Sequence, residues 1–65
     1  MEFDRMAYEI LEKDNPVLLE TIRVFVRSGG TPEVLSENLK HKFGSQNLVA
    51  SLAICAAHWI KNRGL

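Results

Sequence analysis

The longest apolar segment of the chain lies in its last third. Between positions 48 and 60 nearly every residue is apolar, and the polar exceptions are Ser51 and His58. A surface helix usually carries one apolar stripe, so a helix that is apolar over most of its circumference must be covered by other helices or by a partner. The segment is too short to span a membrane as a helix. We therefore predict a central helix over residues 46–62, with Ser45 as its N-cap.

Two earlier segments have the spacing of helix faces. In the first, apolar residues recur at i, i+3, i+4, i+7 and i+8, which predicts a helix over residues 3–13. Its apolar face consists of Phe3, Met6, Ala7, Ile10 and Leu11. Asn15 and Pro16 are typical of a helix start, because the Asn side chain can accept from a free backbone N–H and Pro lacks the donor that would be orphaned there. A second helix is therefore predicted from this point to Arg27.

The segment 28–33 combines a helix stop with a helix start. Ser28-Gly29-Gly30 can close a helix because Gly adopts the left-handed conformation, and Thr31-Pro32-Glu33 provides an N-cap hydroxyl, a first-position Pro and an acid near the positive helix end. A third helix is predicted to Phe43, where Gly44 ends it. Its inward positions are Val34, Leu35, Leu39 and Phe43. Connections of one to four residues favour a compact orthogonal bundle of four short helices, all-α, around the C-terminal helix.

Composition and charge narrow the class of protein. A chain of 65 residues is expected to form a single helical domain over residues 1–65, and 46% apolar residues are enough for folding. Eight basic residues balance eight acidic ones, but residues 1–20 carry −4 and residues 21–65 carry +4. The single Cys55 and the absence of a basic-then-apolar leader predict an intracellular protein without a membrane partner.

The motif search predicts no catalytic residue, no cofactor and no metal. Cys55 and His58 are three positions apart on one helix, but a helix core offers no free N–H group for an oxyanion, so Cys55 is better explained as a small core residue. His41, His58 and Cys55 lack the paired spacing of zinc ligands. These features predict that the chain is not an enzyme.

One face of the last helix suggests a site for a protein partner. At 100° per residue, Asn47, Ser51, His58 and Asn62 form a narrow polar stripe, and Ile54 falls in its middle. We expect Ile54 to be exposed. Together with Trp59 and Tyr8, which are residue types common at interfaces, Ile54 and His58 are the predicted contacts with another protein or with a second copy in a homodimer. The structural alternative is burial of Ile54 against the first helix.

Nucleic-acid binding is the alternative function that the sequence suggests. Arg23 and Arg27 on the second predicted helix, with Lys40 and Lys42 on the third, could belong to a helix-turn-helix. The net charge of zero and the few base-reading side chains on the third helix argue against this alternative. The same cations also complement the C-terminal ends of their helices.

Two segments resemble a known family. Residues 19–35, with the sequence LETIRVFVRSGGTPEVL, and residues 48–64, which contain Ala57-His58-Trp59-Ile60, are similar to an N-terminal helical segment of the C/D subunit of negative elongation factor. The positions that match are the helix–turn framework at Gly29, Gly30 and Pro32 and the packing residue Trp59. The resemblance implies a non-catalytic helical scaffold in a nuclear complex that restrains RNA polymerase II through contacts with other subunits or RNA. The family's subunits are far longer than this chain.

The sequence thus predicts a non-enzymatic helical module for protein–protein interaction. The resemblance adds a regulatory role in transcription and a nuclear location, and without it a cytoplasmic location is expected. A small helical nucleic-acid-binding domain remains the alternative function. We expect no cofactor in either case.

Overall fold

The computed structural model describes residues 2–44 and 47–65, and this part of the chain forms four α-helices. They are α1 (Glu2–Asp14), α2 (Pro16–Arg27), α3 (Pro32–Phe43) and α4 (Leu48–Arg63). The prediction of an all-α bundle is confirmed. The predicted cap Ser45 lies outside the described residues, and α4 begins after Asn47, whose side chain accepts from the Ala50 N–H at 3.0 Å.

Helix starts follow the predicted chemistry. Asn15 Oδ1 accepts from the Leu18 N–H at 3.3 Å, and Thr31 Oγ1 accepts from the Val34 N–H at 3.2 Å. In both helices Pro occupies the first position, where no N–H is required. These caps satisfy backbone donors that would otherwise be orphaned at the helix N-termini.

The end of α2 is a Schellman motif. The Gly30 N–H donates to the Phe25 carbonyl at 2.9 Å, and the Gly29 N–H donates to the Val26 carbonyl at 3.1 Å. Gly29 has a φ of 98°, which an L-residue with a side chain rarely adopts. The turn therefore stops α2 abruptly and lets α3 start within five residues.

The core of the bundle surrounds α4. Helix α4 packs against each of the other three helices, and α1 also packs against α2. The near-equal dimensions of 27 × 24 × 22 Å agree with the predicted arrangement of short crossing helices. No described helix combines the length and the apolar character needed to cross a membrane. The buried apolar residues are Ala7, Leu11, Leu19, Ile22, Ala50, Ala53, Ala56, Ala57 and Ile60.

The predicted inward faces of α1 and α3 were too broad. On α1 only Ala7 and Leu11 of the predicted face are buried, and on α3 only Leu35 and Leu39 pack against the core. The other predicted inward residues are exposed: Phe3, Met6, Ile10, Val34 and Phe43. The physical reason is size, because each of the three short helices around α4 can bury only a narrow strip of its surface. Much apolar surface is left facing solvent.

Candidate functional site

The two ends of α4 have different surroundings. At its N-terminal end Leu48 and Val49 are 74% and 51% exposed, whereas Ile60 near its C-terminal end is 1% exposed. Ala56 and Ala57 are also completely buried. The apolar segment that the sequence singled out is therefore covered over its second half and partly open over its first half.

An apolar groove opens beside the exposed end of α4. It lies between α2, α3 and α4 and has a volume of about 270 Å³. Its lining is apolar except for Asn47, whose side-chain oxygen already caps α4. We call this feature the α3/α4 groove, and its lining residues are Leu18, Leu39, Phe43, Asn47, Val49, Ala50 and Ala53.

The charge beside the α3/α4 groove is positive. Lys40, His41 and Lys42 form the last turn of α3, and Lys42 Nζ lies 5.7 Å from the centroid of the Phe43 ring that lines the groove. This distance allows a cation–π contact at an exposed site. The lining itself contains no carboxylate. The groove therefore combines an apolar floor with cations at one end.

Ile54 and His58 lie in a different, shallower depression. The prediction that Ile54 is exposed is wrong, because the N-terminal half of α3 covers that face of α4 and leaves Ile54 only partly accessible. The depression holds about 350 Å³. Its remaining lining comes from α3 and is partly polar: Pro32, Glu33, Ser36 and Glu37.

Tyr8 and Trp59 are both half-buried and have internal partners. Tyr8 packs against the core, and its hydroxyl accepts a hydrogen bond from Arg23 Nη2 at 2.6 Å. The guanidinium of Arg63 lies 4.4 Å from the Trp59 ring centroid, one helical turn along α4. Tyr8 thus contributes to holding α1 and α2 together, whereas the contact of Trp59 lies within α4, and both aromatic side chains lie outside the depression that contains Ile54 and His58.

The four residues predicted for nucleic-acid binding fall into two groups, two arginines that contact other residues of the chain and two lysines on α3. Arg23 is half-buried between Tyr8 and Glu20, with Nη1 3.3 Å from Glu20 Oε2, and its Nε is buried without a hydrogen-bond partner. Arg27 donates through Nε and Nη2 to the backbone oxygen of Leu65 at 3.1 and 2.8 Å. Lys40 and Lys42, by contrast, are exposed on the last turn of α3.

Cys55 is in an environment that suppresses thiol reactivity. Burial, the negative charge of Asp4 and a hydrogen bond to the Asp4 carboxylate all raise the pKa of this thiol. The thiolate is the reactive form, so a raised pKa makes Cys55 a poor nucleophile at neutral pH. His58 lies beside α3, whereas Cys55 faces α1. Among residues 2–44 and 47–65 no group of three or more His, Cys, Asp or Glu side chains could hold a metal ion.

Comparison with known proteins identifies no relative of this chain. No family model, no curated protein and no solved structure matches the chain. Function must therefore be inferred from the geometry of the described residues, among which the α3/α4 groove is an apolar surface lined by three helices.

The α3/α4 groove was missed in the sequence. Leu39 and Phe43 were assigned to an inward helix face, where an apolar residue needs no further explanation. A usable indication was nevertheless present, because Leu48 and Val49 begin α4 while Phe43 ends α3 beside two lysines. Apolar residues at facing helix ends are hard to enclose in a bundle of short helices.

Proposed function

We propose that this chain is a non-enzymatic interaction module that binds an acidic amphipathic helix of a partner protein in the α3/α4 groove. The observation that carries the proposal is the open apolar groove at the N-terminal end of α4. An amphipathic helix places apolar anchors at i, i+3 or i+4 and i+7 into such grooves, with its charged side chains at the rim.

The shape and lining of the groove support this mode of binding. Small-molecule sites usually hold about 300–1,000 Å³ and have several convergent polar groups. The α3/α4 groove holds about 270 Å³, and its one polar side chain, Asn47, is already used as a helix cap. A few aliphatic side chains from a partner helix suit this surface better than a polar metabolite does.

The charge at the groove supports an acidic partner. Lys40 and Lys42 lie on the last turn of α3, beside an apolar lining that contains no carboxylate. Complementary charge at a rim mainly raises the association rate and selects among partners, while the apolar contacts supply most of the affinity. The expected ligand is therefore a helix with an apolar stripe and flanking Asp or Glu.

The state of Cys55 supports a non-enzymatic role. A catalytic Cys needs a lowered pKa and access to its substrate. Here the pKa is raised by burial and by Asp4, and the thiol is half-buried against α1. If the resemblance to the negative elongation factor subunit holds, the module serves as a scaffold piece of a transcription complex, where helical contacts of this kind are expected.

The test is a titration of the ¹⁵N-labelled chain with a synthetic amphipathic peptide. The peptide has about 14 residues, with Leu at i, i+3 and i+7 and Glu on its polar face. We expect the amides of Leu39, Phe43, Val49 and Ala53 to shift, with a Kd on the order of 10–100 µM. A peptide in which Lys replaces every Glu should bind more weakly.

A pair of valines with matched exposure provides the control. Val49 in the groove is 51% exposed, and Val24 on the outer face of α2 is 53% exposed. Val49→Glu should weaken peptide binding by about tenfold or more, while Val24→Glu should leave it within about twofold. Shifts that are absent from the groove, or that are equally sensitive to both substitutions, would show that the proposed function is wrong.

A further inference from the structure

Helix α1 carries an exposed apolar stripe on the part of its surface that does not touch the core. Phe3, Met6 and Ile10 are 70%, 54% and 40% exposed and are spaced at i, i+3 and i+7. Ala7 and Leu11, by contrast, turn into the bundle. We call Phe3, Met6 and Ile10 the α1 stripe. An exposed apolar patch of this kind on a small protein usually marks an interaction surface.

The charge of α1 is opposite to the charge beside the α3/α4 groove. Helix α1 has five acidic and two basic residues, a net charge of −3, whereas Lys40 and Lys42 give the last turn of α3 a charge of +2. Arg5 and Glu9 pair with each other at 3.5 Å, both well exposed. Glu12 and Asp14 remain among the exposed acidic residues of α1.

The α1 stripe therefore has the chemistry that the groove is expected to bind. Its three anchors have the spacing of a helix that lies in a groove, and its net charge is acidic. The outer face of α2 is a poorer match, because its two exposed apolar residues, Val17 and Val24, are short and flank Glu20 and Thr21. The exposed face of α1 is therefore the better match, because it has larger apolar side chains and a negative net charge.

We infer that the groove of one copy binds the α1 stripe of a second copy, so that the chain self-associates. This inference rests on the proposed function, because it names the partner helix that occupies the α3/α4 groove. Association also compensates for small size, since a 65-residue domain buries a small core and leaves much apolar surface to cover. Three anchor side chains, each of which can bury at most about 150–250 Å², provide less than the area of about 800 Å² per partner of a standard interface, so we expect association to be weak and to depend on concentration.

The test is a mixing experiment with full-length variants, followed by sedimentation between about 10 µM and about 1 mM. The stripe variant carries Phe3→Glu and Ile10→Glu, and the groove variant carries Val49→Glu. Wild-type chain gains mass with concentration, and each variant alone stays monomeric. An equimolar mixture regains dimer, because the groove variant still has a stripe and the stripe variant still has a groove. Val24→Glu associates as wild type does.

The glutamates in the stripe variant separate the apolar contribution from the charge contribution. They make α1 more negative, which by charge alone would favour binding beside Lys40 and Lys42. A loss of association therefore reports the loss of the apolar anchors. Circular dichroism checks that each variant is folded, and Met6→Ser provides a milder substitution that weakens association without adding charge. Lys42→Glu should reduce association of the otherwise unchanged chain.

The outcomes distinguish this inference from the proposed function. A wild-type chain that stays monomeric at every concentration overturns the inference, and so does a mixture of the two variants that fails to associate. The second result, with both variants folded, would indicate pairing of two identical faces instead. If the synthetic acidic peptide still binds the groove in either case, the proposed function stands and the partner is a different protein.

Discussion

The two halves of the apolar segment 48–60, which lies on α4, have different environments. The C-terminal half is enclosed by its neighbours, with Ile60 and Ala57 removed from solvent, whereas Leu48 and Val49 at the other end are largely accessible. The other three helices cover the first half of this segment on one side only, where Ala50 and Ala53 are buried, and leave Leu48 and Val49 uncovered. A helix that is apolar on most sides needs packing contacts on most sides. The comparison teaches that the other helices of this chain provide only part of those contacts.

The largest expected difference between the two halves is in stability. Ile60→Ala should lower the free energy of unfolding by about 2–5 kcal/mol, because it removes a fully buried side chain and leaves a cavity. Val49→Ala should lower it by less than about 1 kcal/mol, because the side chain is half exposed. Urea denaturation followed by circular dichroism measures both. Equal losses would contradict the division of α4 into a covered and an open half.

A second comparison uses the two Asn caps. Asn47 caps the open end of α4, and Asn15 caps α2. Replacing either by Ala should cost about 1 kcal/mol. We expect Asn47→Ala to increase hydrogen exchange mainly over residues 48–52, because that end can fray alone, while Asn15→Ala affects a helix whose Leu19 and Ile22 are in the core. Exchange that rises throughout α4 in Asn47→Ala would show that its two halves unfold together.

A smaller effect is expected from the charge beside the groove. Lys42→Gln should weaken binding of the acidic peptide by about twofold to fivefold, because exposed charge pairs contribute less than about 1 kcal/mol. Raising the salt concentration should reduce the difference between the variant and wild type. Lys61→Gln, on the exposed surface near the covered end of α4, is the control. A larger loss in the Lys61 variant than in the Lys42 variant would place the charge effect elsewhere.

The smallest effect concerns the thiol on α4. Because folding raises the pKa of Cys55, the protonated thiol is favoured in the folded state, and its contribution to stability is present at neutral pH and is lost as the pH rises through the raised pKa. Alkylation of native Cys55 at pH 8 should be slower than alkylation of the unfolded chain. Asp4→Asn should speed the native reaction, since it removes the negative charge that disfavours the thiolate. An unchanged rate in Asp4→Asn would show that Asp4 has no such influence.

Much of the fold could be predicted because it depends on local chemistry. Asn15, Thr31 and Gly29 set helix starts and stops through bonds within a few residues, so their roles can be recognised from sequence. Burial depends on which helix faces meet, and sequence periodicity does not specify that. Phe3 and Ile54 show the two errors, since Phe3 was predicted to be inward and is exposed, while Ile54 was predicted to be exposed and is partly covered by α3.

The candidate site was harder to predict because it combines three helices. Leu18, Leu39 and Val49 come from α2, α3 and α4, and each alone resembles an ordinary core residue. Among the predicted contact residues, Tyr8 and Trp59 were chosen for residue type, and the structure gives them the partners Arg23 and Arg63 within the chain. Only a three-dimensional arrangement shows which apolar residues remain uncovered.

The most direct test of the central claim is amide hydrogen exchange along α4, measured on dilute chain with and without the acidic amphipathic peptide. We predict fast exchange over residues 48–52 and slow exchange over residues 56–60 in the free chain, because only the second half is enclosed. The peptide should then protect residues 48–53 selectively. Uniform slow exchange along α4 in the free chain, or protection that the peptide confers on another helix instead, would contradict the account.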